Sequence, residues 1–176
     1  MNKKILFSAI LSVLLLAMGC GENPFDPDGW KTKSYENFTL RWRVQGSNLE
    51  VELQGPSTGW IAVGFAGSYM MHDSNIIIGA VSGSSVSIRD DFGVDSNTHV
   101  SDSSLQGGQQ NVSDKAGNEG SGSTTISFTT PLDSGDLYDN VLAAGQSCTV
   151  VLMCGENGND NLDSDYRTIV NTSITI

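Results

Sequence analysis

Residues 38–53 read FTLRWRVQGSNLEVEL, and this stretch sets the expectation for the fold. Apolar and polar side chains alternate from Phe38 to Val44 and again from Leu49 to Leu53, which is the period of a strand with one buried face. The residues between them, Gly-Ser-Asn, are of the types that form hairpin turns. The stretch therefore predicts two antiparallel strands that bury the same face.

Further short strands are expected at roughly ten-residue spacing along the chain. Residues 76–81, IIIGAV, are continuously apolar and predict a central strand that is buried on both faces. Residues 90–122 are polar and rich in glycine, serine, asparagine and aspartate, which indicates a long connection of the kind that often carries function. The other candidate strands are 60–65, 86–89, 125–129, 149–153 and 168–176. We expect an all-β fold, a two-sheet antiparallel β-sandwich with immunoglobulin-like layers.

The composition narrows the class of protein further. The chain has 176 residues, of which 38% are hydrophobic and only 16% charged, with 20 glycines. Its length suits one domain, and its low charge content argues against a coiled coil or a helical bundle. The formal net charge of −11 repels phosphate backbones, so we expect no nucleic-acid partner.

The first twenty residues have the features of a secretion signal. Lys3 and Lys4 precede an apolar run at 5–18, which is shorter than the ~20 residues that cross a membrane. The run ends in Ala-Met-Gly-Cys, which resembles a bacterial lipobox and predicts a lipid on Cys20. We therefore expect a protein of the bacterial cell envelope, anchored by lipid outside the cytoplasm, with the outer membrane favoured. The predicted parts are a cleaved signal helix at 1–19, an acidic tether at 20–33 and one domain at 34–176.

Three segments of the domain carry a family resemblance. They are GWIAVGF with MHDSNIIIG at 59–79, DDFG followed by His99 and Asp102 at 90–102, and TTISFTTPLDSGDLYD at 124–139. In their order and spacing they resemble the DOMON family, the sandwich domain found in dopamine β-hydroxylase and in the haem domain of cellobiose dehydrogenase. The resemblance implies a ligand pocket in a mostly non-catalytic module, which serves as an electron relay or as a binding domain.

The resemblance also implies candidate ligands for a b-type haem. Haem-binding members hold the iron with a methionine and a late histidine, and Met71 stands at the methionine position, with Met70 beside it. The late histidine is expected around Ser164, where this chain has none. His99 is the candidate replacement, and ligation by methionine alone or five-coordinate iron are the alternatives.

Two functions therefore remain open from the sequence. The first is a haem-binding electron-transfer module that passes electrons to a redox partner protein. The second is a module that binds a carbohydrate or another small ligand without haem, for which Trp60 and Trp42 are candidate stacking residues. A structural or adhesion role is a third possibility. No catalytic motif stands out, so we do not expect an enzyme.

Oxygen-rich segments and cysteines complete the candidates. Residues 157–165 place Asn159, Asn161, Asp163 and Asp165 at alternate positions, a possible calcium site because calcium prefers oxygen ligands. A second acidic group at 133–139 joins such a site if the loops converge, and is otherwise a turn. Cys148 and Cys154 would lie about 20 Å apart on one strand, too far for a disulfide. We expect them to be buried free thiols.

Overall fold

The structure is a computed structural model that describes residues 28–176. The predicted signal peptide, the lipidated Cys20 and most of the predicted tether lie outside the described residues. Between residues 28 and 176, no helix is long and apolar enough to cross a membrane.

Strands dominate the described part of the chain. They are β1 (Lys31–Tyr35), β2 (Phe38–Gln45), β3 (Asn48–Gly55), β4 (Ile61–Phe65), β5 (Asn75–Ser82), β6 (Ser85–Gly93), β7 (His99–Ser101), β8 (Ser113–Gly120), β9 (Ser123–Pro131), β10 (Ser147–Cys154) and β11 (Thr168–Thr175). A short 3₁₀ helix at Asp102–Ser104 follows β7. The first strand begins three residues before the predicted domain boundary at residue 34.

The strands form two antiparallel sheets that confirm the predicted β-sandwich. The five-stranded sheet has the order β1-β2-β3-β9-β8, and the six-stranded sheet has the order β11-β10-β4-β5-β6-β7. The hairpin expected from residues 38–53 is present as β2 and β3, with Leu40 opposite Leu53 and Trp42 opposite Val51. The alternating apolar side chains of these strands enter the core between the sheets.

The six-stranded sheet is apolar on both faces. On β5, Ile77 belongs to the core between the sheets, whereas Ile76 and Ile78 belong to a second cluster on the opposite face. The prediction that this strand is buried on both sides is confirmed. We call the second group the outer cluster, and its buried members are Trp60, Ala62, Met71, Ile76, Ile78, Ala80, Val151 and Met153.

The polar stretch 90–122 is not one long connection, as the sequence suggested. It contains the end of β6, all of β7, the 3₁₀ helix and β8. The last of these strands reads SDKAGNEG and is exposed along almost its whole length, because it pairs only with β9 at the edge of its sheet. An edge strand without a buried face carries no apolar alternation, so the period-2 pattern could not reveal it. Cys148 and Cys154 are buried and free, as predicted.

Candidate functional site

The candidate site is the outer cluster and the loop that covers it. We call residues 155–167 the covering loop. From this loop and from β11, three partly buried side chains pack on the cluster, and they are Leu162, Tyr166 and Ile169. Met71, at the methionine position of the resemblance, is 1% exposed inside the cluster. The site is thus a packed apolar cluster on the outer face of the six-stranded sheet, and the covering loop lies over it.

Met71 is held in place by a tight turn. The Met71 carbonyl accepts a hydrogen bond from the Ser74 N–H (2.9 Å), and the turn is fastened to the end of β6 by Asp73 N–H to Gly93 O (2.9 Å) and Gly93 N–H to Ser74 O (3.0 Å). The Met71 carbonyl lies so close to the Cα of Gly93 that no side chain fits there. Gly93 in turn pairs with His99 across β6 and β7. The turn therefore places Met71 and His99 near the same glycine.

Trp60 fills the centre of the outer cluster. It is fully buried, and its indole packs against Gly155, where an added Cβ would come within 2.7 Å of three ring atoms. Its backbone N–H donates to Asn159 O (3.0 Å), and its carbonyl accepts from the Gly155 N–H (2.9 Å). Trp60 thus belongs to the outer cluster with its side chain and holds residues 155 and 159 of the covering loop with its backbone.

The structure brings Ser164, where the late histidine was expected, directly to Trp60. The indole Nε1 donates to Ser164 Oγ at 2.9 Å, which also accepts from Asn159 Nδ2 (3.0 Å) and donates to Asn161 O (2.7 Å). The Ser164 hydroxyl is therefore fully used in closing the loop.

We expect Ser164→Ala to lower the free energy of unfolding by about 1–3 kcal/mol, because it leaves a buried indole N–H without an acceptor. Urea unfolding followed by tryptophan fluorescence measures the loss. Ser103→Ala removes an exposed hydroxyl that bonds only to Ser101, so its effect should stay within about 0.5 kcal/mol. Equal stability of the two variants would contradict the role given to Ser164.

His99 lies on the strand β7. The sequence suggested instead that His99 belongs to a long connection at residues 90–122. Its Nδ1 is 2.7 Å from Asp91 Oδ2, and its ring stands edge-on to Trp60 with centroids 6.5 Å apart. Asp91 is fully buried and is bridged by Arg89 through Nε (2.6 Å) and Nη2 (2.8 Å). The strong hydrogen bonds to Asp91 raise the pKa of Arg89 above its already high value.

The Arg89–Asp91–His99 chain also ties the covering loop to the sheet. Arg89 Nη2 reaches Asp163 Oδ1 at 2.7 Å, and Tyr166 Oη donates to Asn97 Oδ1 at 3.1 Å. The sequence analysis did not identify Asp91 as the partner of His99. The signal was present in the hairpin of β6 and β7, because His99 pairs with Gly93 and Asp91 lies two residues from Gly93, so that the two side chains share one face of the sheet.

The other sequence candidates lie outside the cluster or are covered. Met70 adopts a left-handed backbone conformation (φ 51°) and is not part of the outer cluster. His72 is half-exposed and bonds to Ser68 and Asp73. Trp42 belongs to the core between the sheets, and Trp60 is buried, so neither presents the open ring face that sugar stacking requires.

The oxygen-rich segment 157–165 does not gather its side chains around one point. Asn159 Oδ1 accepts from the Asn161 N–H and Asn161 Oδ1 from the Asp163 N–H, while Asp163 is paired with Arg89. These are local turns that consume the oxygens a calcium ion would need. In the described part of the chain, the group of acidic side chains close enough to share a metal lies elsewhere, at Asp90, Asp102 and Asp139.

The donors at the outer cluster fit haem iron in their chemistry. A buried thioether at Met71 and the imidazole of His99 share one apolar face, and both are ligand types that iron accepts in haem proteins. Asp91 occupies Nδ1 and leaves Nε2 free, the orientation in which a carboxylate commonly supports a metal-binding histidine. Trp60 occupies the middle of this face, so a porphyrin enters only if its indole and the covering loop move outward.

Comparison with known proteins agrees with this architecture. The cytochrome domain of cellobiose dehydrogenase from Myriococcum thermophilum has a similar fold, with a TM-score of 0.60, 14% sequence identity and 88% of each chain covered. The cytochrome b domain of pyranose dehydrogenase from Coprinopsis cinerea gives a TM-score of 0.57 and 13% identity, covering 78% of this chain and 75% of that chain. A comparison with curated proteins gives no significant match.

At these identities the likeness to solved structures concerns the fold alone. The profile of the DOMON domain matches residues 34–155, which is more than half of the 176-residue chain. The matched part includes Met71, His99 and Trp60, and it ends where the covering loop begins. This chain belongs to the DOMON family.

Proposed function

We propose that this domain binds one haem b on the outer face of its six-stranded sheet and serves as a non-catalytic electron-transfer module. The observation that carries the proposal is that Met71 lies in the outer cluster, while His99, held by Asp91, stands edge-on to Trp60 of the same cluster. The fold shared with two cytochrome domains supports the same function. Bound haem supplies reversible one-electron chemistry at its iron.

The residues of the chain have distinct roles in this proposal. Met71 and His99 ligate the iron, and the apolar side chains around them, such as Ile78 and Met153, exclude water from the porphyrin. Asp91, balanced by Arg89, fixes the tautomer of His99. Apolar surroundings and a thioether ligand both favour a raised reduction potential. Trp60 would have to turn outward to make room for haem, at the loss of its hydrogen bond to Ser164.

The experiment is an absorption spectrum of the full chain, purified in mild detergent from cells supplied with haem. We expect close to one haem per chain by the pyridine haemochrome assay, with a Soret band that sharpens and shifts on dithionite reduction. Met71→Ala and His99→Ala should each lose most of the haem or change its ligation. The matched controls are Met70→Ala and His72→Ala, whose side chains lie outside the outer cluster, and they should keep the wild-type spectrum.

Two results would overturn the proposal. One is wild-type protein that carries no stoichiometric haem, and the other is haem retained unchanged in both the Met71 and His99 variants. Either result leaves a DOMON module with a different ligand, and carbohydrate is the class to screen next.

We also propose that the domain is displayed on the outside of a bacterial membrane, where it meets its redox partner. The support is the sequence before residue 21, with its basic start, short apolar run and Cys20. Labelling of growing cells with an alkyne fatty acid should tag the wild-type chain and not Cys20→Ala. Equal labelling of the two would contradict the anchor.

A further inference from the structure

Three aspartates from distant parts of the chain meet inside the domain. Asp90 lies on β6, Asp102 opens the 3₁₀ helix, and Asp139 lies in the connection between β9 and β10. Each offers a carboxylate oxygen, and these oxygens all lie within 4.8 Å of one another. Asp90 and Asp102 are fully buried. The arrangement concentrates three acidic groups where water has little access.

Within residues 28–176, no lysine or arginine forms an ion pair with any of these three aspartates. The neighbouring cation on β6, Arg89, is turned to Asp91 and Asp163. Four of the six carboxylate oxygens are buried without a hydrogen-bond partner, namely Asp90 Oδ1, both oxygens of Asp102, and Asp139 Oδ2. Burying unpaired acceptors is costly, so the cluster lacks something that would satisfy them.

A buried amide at the same place gives independent evidence for a ligand. Asn75 on β5 is only 6% exposed, and its Nδ2 donates to Asp139 Oδ1 at 2.7 Å. Its Oδ1 is buried and has no partner. A half-turn of the amide exchanges its oxygen and nitrogen, so the side chain can present an oxygen to the cluster. Asn111 flanks the other side, where its backbone N–H donates to Asp90 Oδ2 at 2.9 Å.

The electrostatics of the cluster agree with a missing positive charge. Burial, followed by repulsion from Asp139, raises the pKa of Asp90 to about 8. Burial, again followed by repulsion from Asp139, raises the pKa of Asp102 to about 7, and burial raises that of Asp139 as well. Protons or a cation must therefore compensate these groups at neutral pH.

We propose that Asp90, Asp102 and Asp139, together with the side-chain oxygen of Asn75, bind one calcium ion. All the donors are oxygens. Zinc and copper are therefore disfavoured, because they prefer nitrogen and sulfur ligands. Calcium binds six to eight oxygens at 2.3–2.6 Å, so two of its ligands can lie no more than about 5 Å apart, and the oxygens of the three aspartates meet this limit. A set of protein oxygens contributed by four side chains suits calcium better than magnesium, which usually binds through one or two carboxylates and keeps several of its waters.

The ion would add a further link between three separate elements of the chain. Asp90 and Asp102 flank the hairpin of β6 and β7 that carries His99, and Asp139 belongs to the connection that crosses beside it. Calcium at this point therefore fixes the base of that hairpin. The proposal does not depend on haem, because none of its ligands belongs to the outer cluster.

The test uses the full chain in detergent, stripped with EDTA and then dialysed against calcium chloride at pH 7.5. We expect one calcium per chain by elemental analysis and a rise of about 5 °C or more in the unfolding temperature, since a ligand that binds only the folded state stabilises it. Asp102→Asn should lose both effects. It should fold without calcium at least as well as wild type, because it removes a buried negative charge.

The control variant is Asp165→Asn in the oxygen-rich segment 157–165, which should keep the full response to calcium. Wild type that takes up no calcium, or an undiminished response in Asp102→Asn, would overturn the proposal. A loss confined to Asp165→Asn would overturn it as well, since it would move the site to the covering loop. An equal response to the same concentration of magnesium chloride would overturn the assignment to calcium.

Discussion

Replacing Gly93 by alanine is expected to lower the free energy of unfolding by about 3 kcal/mol and to dislodge Met71 from the outer cluster. The added Cβ would overlap the Met71 carbonyl. Neither strand nor turn can give way easily, because Gly93 exchanges hydrogen bonds with Asp73 and Ser74 on that same turn. Urea unfolding measures the loss of stability, and the haem content of the purified protein reports the displacement of Met71.

Gly120→Ala is the matched control for this prediction. Gly120 also ends a strand, β8, but nothing lies within 4 Å of its Cβ position. We expect its effect to stay within about 0.5 kcal/mol. If both glycine variants unfold at the same urea concentration, the close contact between the turn and β6 does not hold Met71.

In EDTA, the domain should become less stable as the pH rises from 5 to 8, with a fall of about 5 °C or more in the unfolding temperature. The folded-state pKa values of Asp90 and Asp102 are raised to about 8 and about 7, whereas the unfolded values lie near 4. Between these limits the folded state holds protons that the unfolded state has released. The protons bound by Asp90 and Asp102 therefore stabilise the folded state at pH 5. This stabilisation falls as the pH rises and is lost once the pH exceeds the folded-state pKa of each group.

The variant Asp102→Asn should flatten this pH dependence. The other acidic groups that act on Asp90 and Asp102 are Asp91, Asp136 and Asp139, and they remain in the variant. Thermal unfolding by circular dichroism at half-unit pH steps gives the two profiles. A wild-type profile that is flat, or that rises toward pH 8 in EDTA, would show that the three aspartates are not uncompensated in the folded protein.

The sequence predicted those strands whose side chains are buried either at every second residue or at every residue. Apolar alternation located β2 and β3, and the unbroken apolar run located β5. The polar strand β8 escaped, because its backbone is held by β9 alone and no side chain of its own is buried. Periodicity records which faces are buried, so it is blind to a strand that buries none.

The candidate site was predictable only as far as the family resemblance reached. That resemblance identified Met71 and the position of Ser164 as candidate ligand positions. In the structure Met71 lies in the outer cluster with Trp60, and Ser164 accepts a hydrogen bond from Trp60. The pairing of His99 with Asp91 depends on the register of the hairpin of β6 and β7. The residues of this hairpin are largely polar, so no apolar pattern indicated the register. The three clustered aspartates are separated along the chain by three strands, β7, β8 and β9, so no local spacing could have indicated them.

The two-faced six-stranded sheet has a consequence for how this domain can change. Neighbouring residues of β4 and β5 serve different layers, with Val63 and Ile77 in the core between the sheets and Ala62 and Ile78 in the outer cluster. Substitutions in the outer cluster can therefore change the candidate site while the core between the sheets still holds the two sheets together. The ligand of such a domain can therefore change, by evolution or by engineering, without changes in the core between the sheets.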